Sequence, residues 1–454
     1  YSRLLVGYRG TFATAQVISL LDGLAGRDMD HALYLQRIFG AATVPLVFAV
    51  ARGLQRASPA LLPSLATTGA PSLAFPAFAA GLLAVSPVHI LFSASDALGV
   101  FSGLLAALSY ACLLQKSRVW LLAGLLGLGL LTQVRYEDAL FVLPAVALFA
   151  VRRRWAMASL ATLAGVLYLP ASLAAGLSYE HHARFAETAR WLFTDRALLA
   201  PMLGLPLLLA GALLTGLRRR VARLLLSVSP FVALVLLAGV TAERPHDVAR
   251  VAVNLLVPMV LAAGHGFALL ADGGHLGRLA ALAVALFAAS RPYALREPLH
   301  ARYLEIAEHD AFLSLLSSAP PGVEAVIVPD DEAMHRAEHA TIETLARYRF
   351  VRRAAGPHPP PLEGLTRFLD HPSGWCPPGA CLFFRGLPCL VEGVDRHVGA
   401  QCEALAARDL LEPVASVHVV GAPFLDCSIA SGEARRRDCD PTVRPLDFTL
   451  LRIR

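Results

Sequence analysis

Three ionisable residues lie close together between two strongly apolar runs, in the stretch LTQVRYEDALFVLP (131–144). Arg135 carries a cation suited to a phosphate, while Glu137 and Asp138 carry carboxylates suited to accepting a proton or orienting a hydroxyl. An ionisable group at membrane depth costs at least ~2.5 kcal/mol, so it normally faces a cavity or a partner. The stretch is therefore a candidate site. The competing interpretation is that Arg135 reaches the lipid headgroups and pairs with a neighbouring carboxylate.

Other ionisable residues stand at the ends of neighbouring apolar runs. In AVSPVHILFSASDALGVF (84–101), His89 lies near the end of one run and Asp96 precedes the next. In RPHDVARVAVNLLVPM (244–259), His246 and Arg250 lie at the start of a run. Cations beside acids suit an anionic lipid headgroup together with an acceptor that must lose a proton.

A D-x-D pair occurs earlier, where Asp28 and Asp30 stand in GRDMDH (26–31). This spacing occurs in metal sites, and the plain alternative is an acidic helix start. We predict no cofactor, since a divalent metal is compatible with the sequence but not indicated by it.

The composition explains why these charges stand out. Of the 454 residues, 56% are hydrophobic and 16% are charged, and the mean hydropathy is +0.57, far from that of an ordinary soluble domain. Because backbone groups in lipid must be hydrogen-bonded internally, the sequence predicts an α-helical polytopic membrane protein. We predict about ten transmembrane helices, at 32–51, 73–92, 97–114, 119–134, 139–151, 156–177, 197–217, 224–242, 251–271 and 276–290.

Basic residues occupy every second loop, among them Arg52, Arg152–Arg154 and Arg278. Basic loops stay in the cytoplasm, which predicts that the loops 93–96, 135–138, 178–196 and 242–250 lie outside. Residues 1–31 then form an outer juxtamembrane segment, and a further span is expected upstream of Tyr1. The stretch 6–26 predicts an interfacial helix, and the alternative is a poor transmembrane helix. The net charge of +6 is scattered rather than clustered, which disfavours nucleic acid as a partner.

Residues 291–454 predict a second, extracytoplasmic α/β domain. Helices are expected at 299–317 and 338–349, strands at 323–329, 380–386, 415–420 and 447–453, and a loop at PHPPPLEG (357–364). Six cysteines in an oxidising compartment predict up to three disulfides of undetermined connectivity, and zinc is disfavoured because no C-x-x-C is present. The six are Cys376, Cys381, Cys389, Cys402, Cys427 and Cys439.

Four stretches between residues 30 and 290 resemble, in order and spacing, the spans of GT-C fold glycosyltransferases. The similarity is to the bacterial relatives of dolichyl-phosphate-mannose protein mannosyltransferases, and the C-terminal domain lies outside it. The stretches are RIFGAATVPLVFAVARGL (37–54), LLAVSPVHILFSASDALGVF (82–101), WLLAGLLGLGLLTQVRYEDALFVLP (120–144) and RVAVNLLVPMVLAAGHG (250–266).

The resemblance implies that a sugar is moved from a polyprenyl-phosphate carrier to an envelope acceptor (a lipid, glycan or protein) on the outer face of the bacterial cell membrane. It assigns Arg135, Arg250 and His89 to the donor phosphate, and it gives catalytic roles in positioning donor or acceptor to Asp96 and Glu137. Additional candidates are Asp138, His246, Asp28 and Asp30.

Two departures from the family pattern matter. The threonine of the family's turn is displaced to Thr132, and the family's catalytic base, an acid in the first outer loop, would fall upstream of Tyr1. Two other classes stay open from the residues alone. A transporter would also place acids and arginines near the membrane, although no inverted repeat is seen. A non-catalytic envelope assembly protein would act through its C-terminal domain.

Overall fold

The computed structural model describes most of the chain. The described residues are 29–57, 73–93, 99–134, 136–151, 153–166, 185–194, 204–217, 221–241, 245–294, 302–329, 360–370, 376–377, 379–391, 396–408, 410–422 and 444–454. The chain divides into two compact units, a helical unit up to Leu295 and a C-terminal unit from Arg296.

Twelve α-helices and one 3-10 helix are described in the helical unit, as the sequence predicts for its apolar runs. They are α1 (Met29–Ala57), α2 (Ala74–Ala84), α3 (Pro87–Ser93), α4 (Gly99–Leu113), α5 (Arg118–Leu131), the 3-10 helix Tyr136–Phe141, α6 (Val142–Val151), α7 (Trp155–Val166), α8 (Phe185–Thr194), α9 (Leu205–Leu217), α10 (Val221–Thr241), α11 (Pro245–Ala271) and α12 (His275–Ala294).

Helix α11 is the centre of this unit, and it packs against α2, α4, α9, α10 and α12. Its approach to α9 depends on glycine, because a Cβ atom at Gly266 would overlap the carbonyl oxygen of Gly211. Its approach to α2 is also close, since a Cβ atom at Gly264 would lie 2.6 Å from the Ala79 backbone nitrogen. Small residues that let backbones approach supply van der Waals contact where water does not drive association.

Predicted boundaries differ from the structure in several places. The run 73–92 is not one helix, because Pro87 has no N–H to continue the hydrogen-bond ladder and begins a second helix, α3. The predicted loop 178–196 contains α8, and α11 begins at Pro245 inside the predicted loop 242–250. In each case the run of hydropathy marks the apolar part of the chain but not the ends of the helix.

Two helical stretches among the described residues, Gln36–Arg56 and Val251–Ala271, are long and apolar enough to cross a membrane. Six further apolar helices are shorter, for example Gly99–Leu113 and Arg118–Leu131. Length and composition therefore support membrane association, and the full count of ten spans stays a prediction.

The C-terminal unit contains a six-stranded sheet with helices between the strands, which confirms the predicted small α/β domain. Its elements are β1 (Arg302–Tyr303), α13 (Leu304–Ser317), β2 (Ala325–Val328), β3 (Leu362–Gly364), α14 (Leu365–Asp370), β4 (Cys381–Arg385), α15 (Leu387–Leu390), α16 (Arg396–Ala406), β5 (Leu411–Ala422) and β6 (Arg444–Ile453).

The strand order is β1-β5-β6-β4-β2-β3, and β6 is antiparallel to both of its neighbours. The four predicted strands form β2, β4, β5 and β6. Two expectations were wrong: Leu362–Gly364 pairs with β2 instead of forming a loop, and Arg302–Tyr303 forms a strand where a helix was expected. The helix predicted at 338–349 lies outside the described residues.

Both faces of the sheet carry an apolar core, one around Phe312, Phe384 and Phe448 and the other around Phe383 and Leu405. Two disulfides lie at the second core, and they join Cys376 to Cys381 and Cys389 to Cys402. Cys427 and Cys439 lie outside the described residues.

The last strand is also tied at its end by an exposed ion pair. Arg454 donates from Nε to Glu412 across 3.2 Å, and this hydrogen bond and the positive charge hold the pKa of the Glu412 carboxyl below its ordinary value. The pair is solvent-exposed and contributes little to stability.

Candidate functional site

The two carboxylates of the opening stretch are buried on the 3-10 helix Tyr136–Phe141. Glu137 is 6% exposed and Asp138 is fully buried. Arg135 lies outside the described residues. Because both acids are buried, they do not lie on a solvated turn. A buried carboxylate almost always has polar partners. Burial of both side chains argues against a surface role for this stretch.

Helix α4 holds the 3-10 helix at both ends. Ser102 donates from Oγ to the Oδ2 atom of Asp138 across 2.6 Å, and the Tyr110 hydroxyl donates to the carbonyl oxygen of Phe141. Ser102 and Tyr110 lie eight residues apart on α4, about two turns. The 3-10 helix is therefore fixed along α4, with Asp138 toward the N-terminal end of α4.

The same end of α4 also contacts α11 and α1. Gly99 lies against Asn254 of α11 so closely that a Cβ atom at Gly99 would overlap the Asn254 Oδ1 atom. One residue before Ser102, the ring centroid of Phe101 lies 5.1 Å from the ring centroid of Phe39 on α1. The first turn of α4 thus contacts the 3-10 helix, α11 and α1, each of which carries candidate residues.

Arg250 and His246 lie on α11, and Asp30 lies on α1. Their places on these helices are described, but their side chains are not. Arg250 precedes Asn254 by one helical turn, so the two positions share a face of α11. Asp96 and Asp28 lie outside the described residues. Asp96 precedes Gly99, the first residue of α4, by three positions in the sequence.

His89 is buried on α3, where Nε2 lies 3.1 Å from the carbonyl oxygen of Gly40 on α1. A carbonyl oxygen only accepts, so Nε2 carries the proton and donates it to Gly40. Ser93 packs beside the same contact. Its Oγ donates to the His89 carbonyl across 2.6 Å, and its side chain lies against Gly40. A phosphate contact by His89 stays a prediction, limited to Nδ1.

Thr132, the displaced threonine, is buried and donates from Oγ1 to the Gly129 carbonyl across 2.9 Å. This bond lies within the C-terminal turn of α5, where backbone carbonyls have no helical partner. Thr132 therefore has a local structural contact that caps its own helix.

Asn254 is the residue that sequence reasoning missed. It is 2% exposed, and among the described residues neither its Oδ1 nor its Nδ2 atom has a hydrogen-bond partner. An amide within the apolar run RVAVNLLVPM (250–259) was the available signal, because a carboxamide at membrane depth costs free energy unless it is bonded.

The described residues contain no group of three or more His, Cys, Asp or Glu side chains that could hold a metal ion. In the C-terminal unit, the buried carboxylate of Glu308 accepts a 2.7 Å hydrogen bond from the Leu387 backbone N–H. That bond fixes the start of α15 against α13, which is a structural role.

No family model, no curated protein and no solved structure matches the chain. The function is therefore argued from the chemistry of the residues and their placement.

Proposed function

We propose that this protein is a membrane glycosyltransferase, which moves a sugar from a polyprenyl-phosphate carrier to an envelope acceptor on the outer face of the bacterial cell membrane. The observation that carries the proposal is the convergence at the first turn of α4. There the buried carboxylate of Asp138 on the 3-10 helix and the helix that bears Arg250 meet the start of α4, three residues after Asp96 in the sequence.

The lipid setting is supported by helix faces that expose large apolar side chains. On α5, Leu122, Leu126 and Leu130 recur every four residues and are 56%, 71% and 46% exposed. On α12, Leu276 and Leu286 are 83% and 63% exposed. Such stripes are unfavourable in water and suit hydrocarbon, so we assign these faces to lipid and propose a multi-pass topology with basic loops inside.

In the proposed reaction the bond between the anomeric carbon and the phosphate oxygen breaks, and a bond from that carbon to an acceptor hydroxyl oxygen forms. The leaving polyprenyl phosphate gains negative charge, which Arg135 and Arg250 stabilise. The acceptor hydroxyl loses its proton to a carboxylate, and Asp96 and Glu137 position the reacting groups. A preorganised cation of this kind is worth about 10²–10³-fold in turnover.

The test uses the full-length protein in lipid nanodiscs with polyprenyl-phosphate sugars labelled in the sugar. We expect transfer to acceptor or water, with release of free polyprenyl phosphate, and about a hundredfold loss in Arg135→Ala and Arg250→Ala. Arg278→Ala is the matched control, because Arg278 is exposed at the start of α12, far in sequence from the site. Full activity in both site variants overturns the phosphate assignment.

The topology has its own experiment. Single cysteines placed at Arg278 and at Glu412 should show opposite access to an impermeant thiol reagent in intact cells, with Glu412 labelled from outside. Labelling of Arg278→Cys from outside overturns the orientation.

A further inference from the structure

Asn254 combines two properties that rarely occur together in a helix core. Its side chain is 2% exposed, and within the described part of the chain both polar atoms of its amide are unbonded. Leaving such a group without a partner costs several-fold to over a hundredfold in the folding equilibrium. A leucine has the same branching at Cγ, although it is larger, and it carries no polar atom to leave unbonded, so the amide needs a reason to be there.

The surroundings of Asn254 place it at the candidate site. Its Oδ1 atom lies against Gly99, the first residue of α4, and no side chain stands at that point because glycine has none. Ser102, one turn along α4, bonds to Asp138 of the 3-10 helix. Arg250, proposed to bind the donor phosphate, is one turn earlier on the same face of α11, about 6 Å along the axis.

A carboxamide offers two N–H donors and one carbonyl acceptor. A phosphate uses only the donors, whereas a hydroxyl uses both functions by accepting one bond and donating another. The sugar of the donor is attached directly to the phosphate, so its hydroxyls lie within a few ångströms of the phosphate oxygens. The positions of Arg250 and Asn254 are one helical turn apart on α11, so residues at both positions can contact one donor molecule.

We propose that Asn254 binds a hydroxyl of the donor sugar and contributes to selection of the sugar. This inference rests on the proposed function and adds a subsite to it. When the donor is bound, its hydroxyl supplies the hydrogen-bond partners that the amide lacks. A sugar with the hydroxyl at this position is therefore bound in preference to one without it.

The test compares Asn254→Leu with the parent protein in nanodiscs, by thermal stabilisation with two kinds of probe. One is polyprenyl phosphate without sugar, and the other is a panel of polyprenyl-phosphate hexoses and pentoses. We expect equal stabilisation of parent and variant by the bare phosphate. The best glycosylated probe should bind the variant about tenfold more weakly, while the unliganded variant melts no lower than the parent.

Asn254→Ala is the second variant, for the outcome that leucine does not fit beside Gly99. Alanine removes the amide and adds no atoms. Ser109→Ala is the matched control. Ser109 is buried at the other end of α4, with its hydroxyl unbonded among the described residues, and it packs against Gly127. We expect it to bind the glycosylated probe like the parent.

The outcomes separate the two proposals. If no phosphate probe stabilises the parent, the proposed function fails and this inference fails with it. If the glycosylated probe binds the parent and both Asn254 variants equally, only the subsite is overturned. The same holds if the variants change the KM for the acceptor and leave the KM for the donor unaltered, because Asn254 would then contact the acceptor hydroxyl.

Discussion

Ser102 and Asp138 are both fully buried, and a 2.6 Å hydrogen bond from the serine Oγ to the aspartate Oδ2 joins α4 to the 3-10 helix Tyr136–Phe141. A bond to a carboxylate in a medium of low dielectric is stronger than one in water. The bond between Ser102 and Asp138 fixes the position and rotation of the 3-10 helix relative to α4, and with them the direction in which Glu137 projects.

Loss of this bond should destabilise the helical unit. We expect Ser102→Ala to lower the free energy of unfolding by about 1.5–3 kcal/mol, because the buried Asp138 carboxylate loses a donor. Thermal unfolding in detergent, with Asp138→Asn added as a double-mutant cycle, measures the coupling between the two residues. Ser109→Ala is the control, and an equal loss in that variant would contradict the assignment.

Much of this architecture is encoded in simple patterns. The apolar runs predict helices because the backbone must bond internally in an apolar setting, and alternation and β-branching predict β2, β4, β5 and β6. The short strands β1 and β3 are not visible in the sequence. Leu362–Gly364 has no strand pattern of its own, and pairing with β2 is what makes it a strand.

The contact between α9 and α11 should be intolerant of any side chain at Gly266. We expect Gly266→Val to cost at least about 1–3 kcal/mol, because its Cβ atom meets the Gly211 carbonyl and backbone cannot rotate away as a side chain does. Expression level and detergent melting temperature measure the effect.

Two other glycines serve as controls for that experiment. Gly81→Ala adds a Cβ atom with nothing within 4 Å, and Gly103→Ala meets only a Val257 methyl group at 3.7 Å, an ordinary contact. Both should melt at or above the parent temperature, since alanine favours the helix. A melting temperature for Gly266→Val equal to theirs would refute the close packing.

His89 allows a structural role to be separated from phosphate binding. The amide nitrogen of glutamine reaches about as far as the imidazole Nε2 and that of asparagine does not. His89→Gln should therefore keep the bond to Gly40, and His89→Asn should lose about 1–3 kcal/mol of stability. If Nδ1 contacts the donor phosphate, as predicted from the sequence, His89→Gln should raise the donor KM while the melting temperature stays unchanged. An unchanged donor KM would remove His89 from the phosphate site and leave it the structural contact to Gly40.

The two disulfides of the C-terminal unit should differ in their contribution to stability. The Cys389–Cys402 bridge closes a longer loop than Cys376–Cys381, with separations of 13 and 5 residues. Loop-closure entropy then predicts losses of about 3 and about 2 kcal/mol when each pair is changed to serine. Denaturant unfolding of the full chain, with and without reductant, tests the order. A larger loss for the shorter loop would show that local packing dominates.

The site itself was only partly predictable. The charges in LTQVRYEDALFVLP were visible because they interrupt apolar runs, but their different surroundings were not. Whether an acid meets Ser102 depends on the register between α4 and the 3-10 helix, which is a long-range packing result. Asn254 is visible in the sequence as an amide within an apolar run, but its place beside Gly99 depends on the packing of α4 against α11, which the sequence pattern does not give.

The two adjacent acids of the 3-10 helix, Glu137 and Asp138, should differ in their effect on turnover. Successive residues of a 3-10 helix point about 120° apart, so when Asp138 faces Ser102, Glu137 faces elsewhere. Asp138→Asn keeps an oxygen that accepts from Ser102, so we expect turnover within a few-fold of the parent.

Glu137→Gln removes the charge of the acid that is proposed to position the reacting groups, and turnover should fall by about 10²-fold or more without loss of folding. Initial rates of sugar transfer, together with melting temperatures, separate the cases. If Asp138→Asn is the inactive variant and Glu137→Gln the active one, the catalytic role passes to Asp138, and Ser102 becomes the residue that orients it.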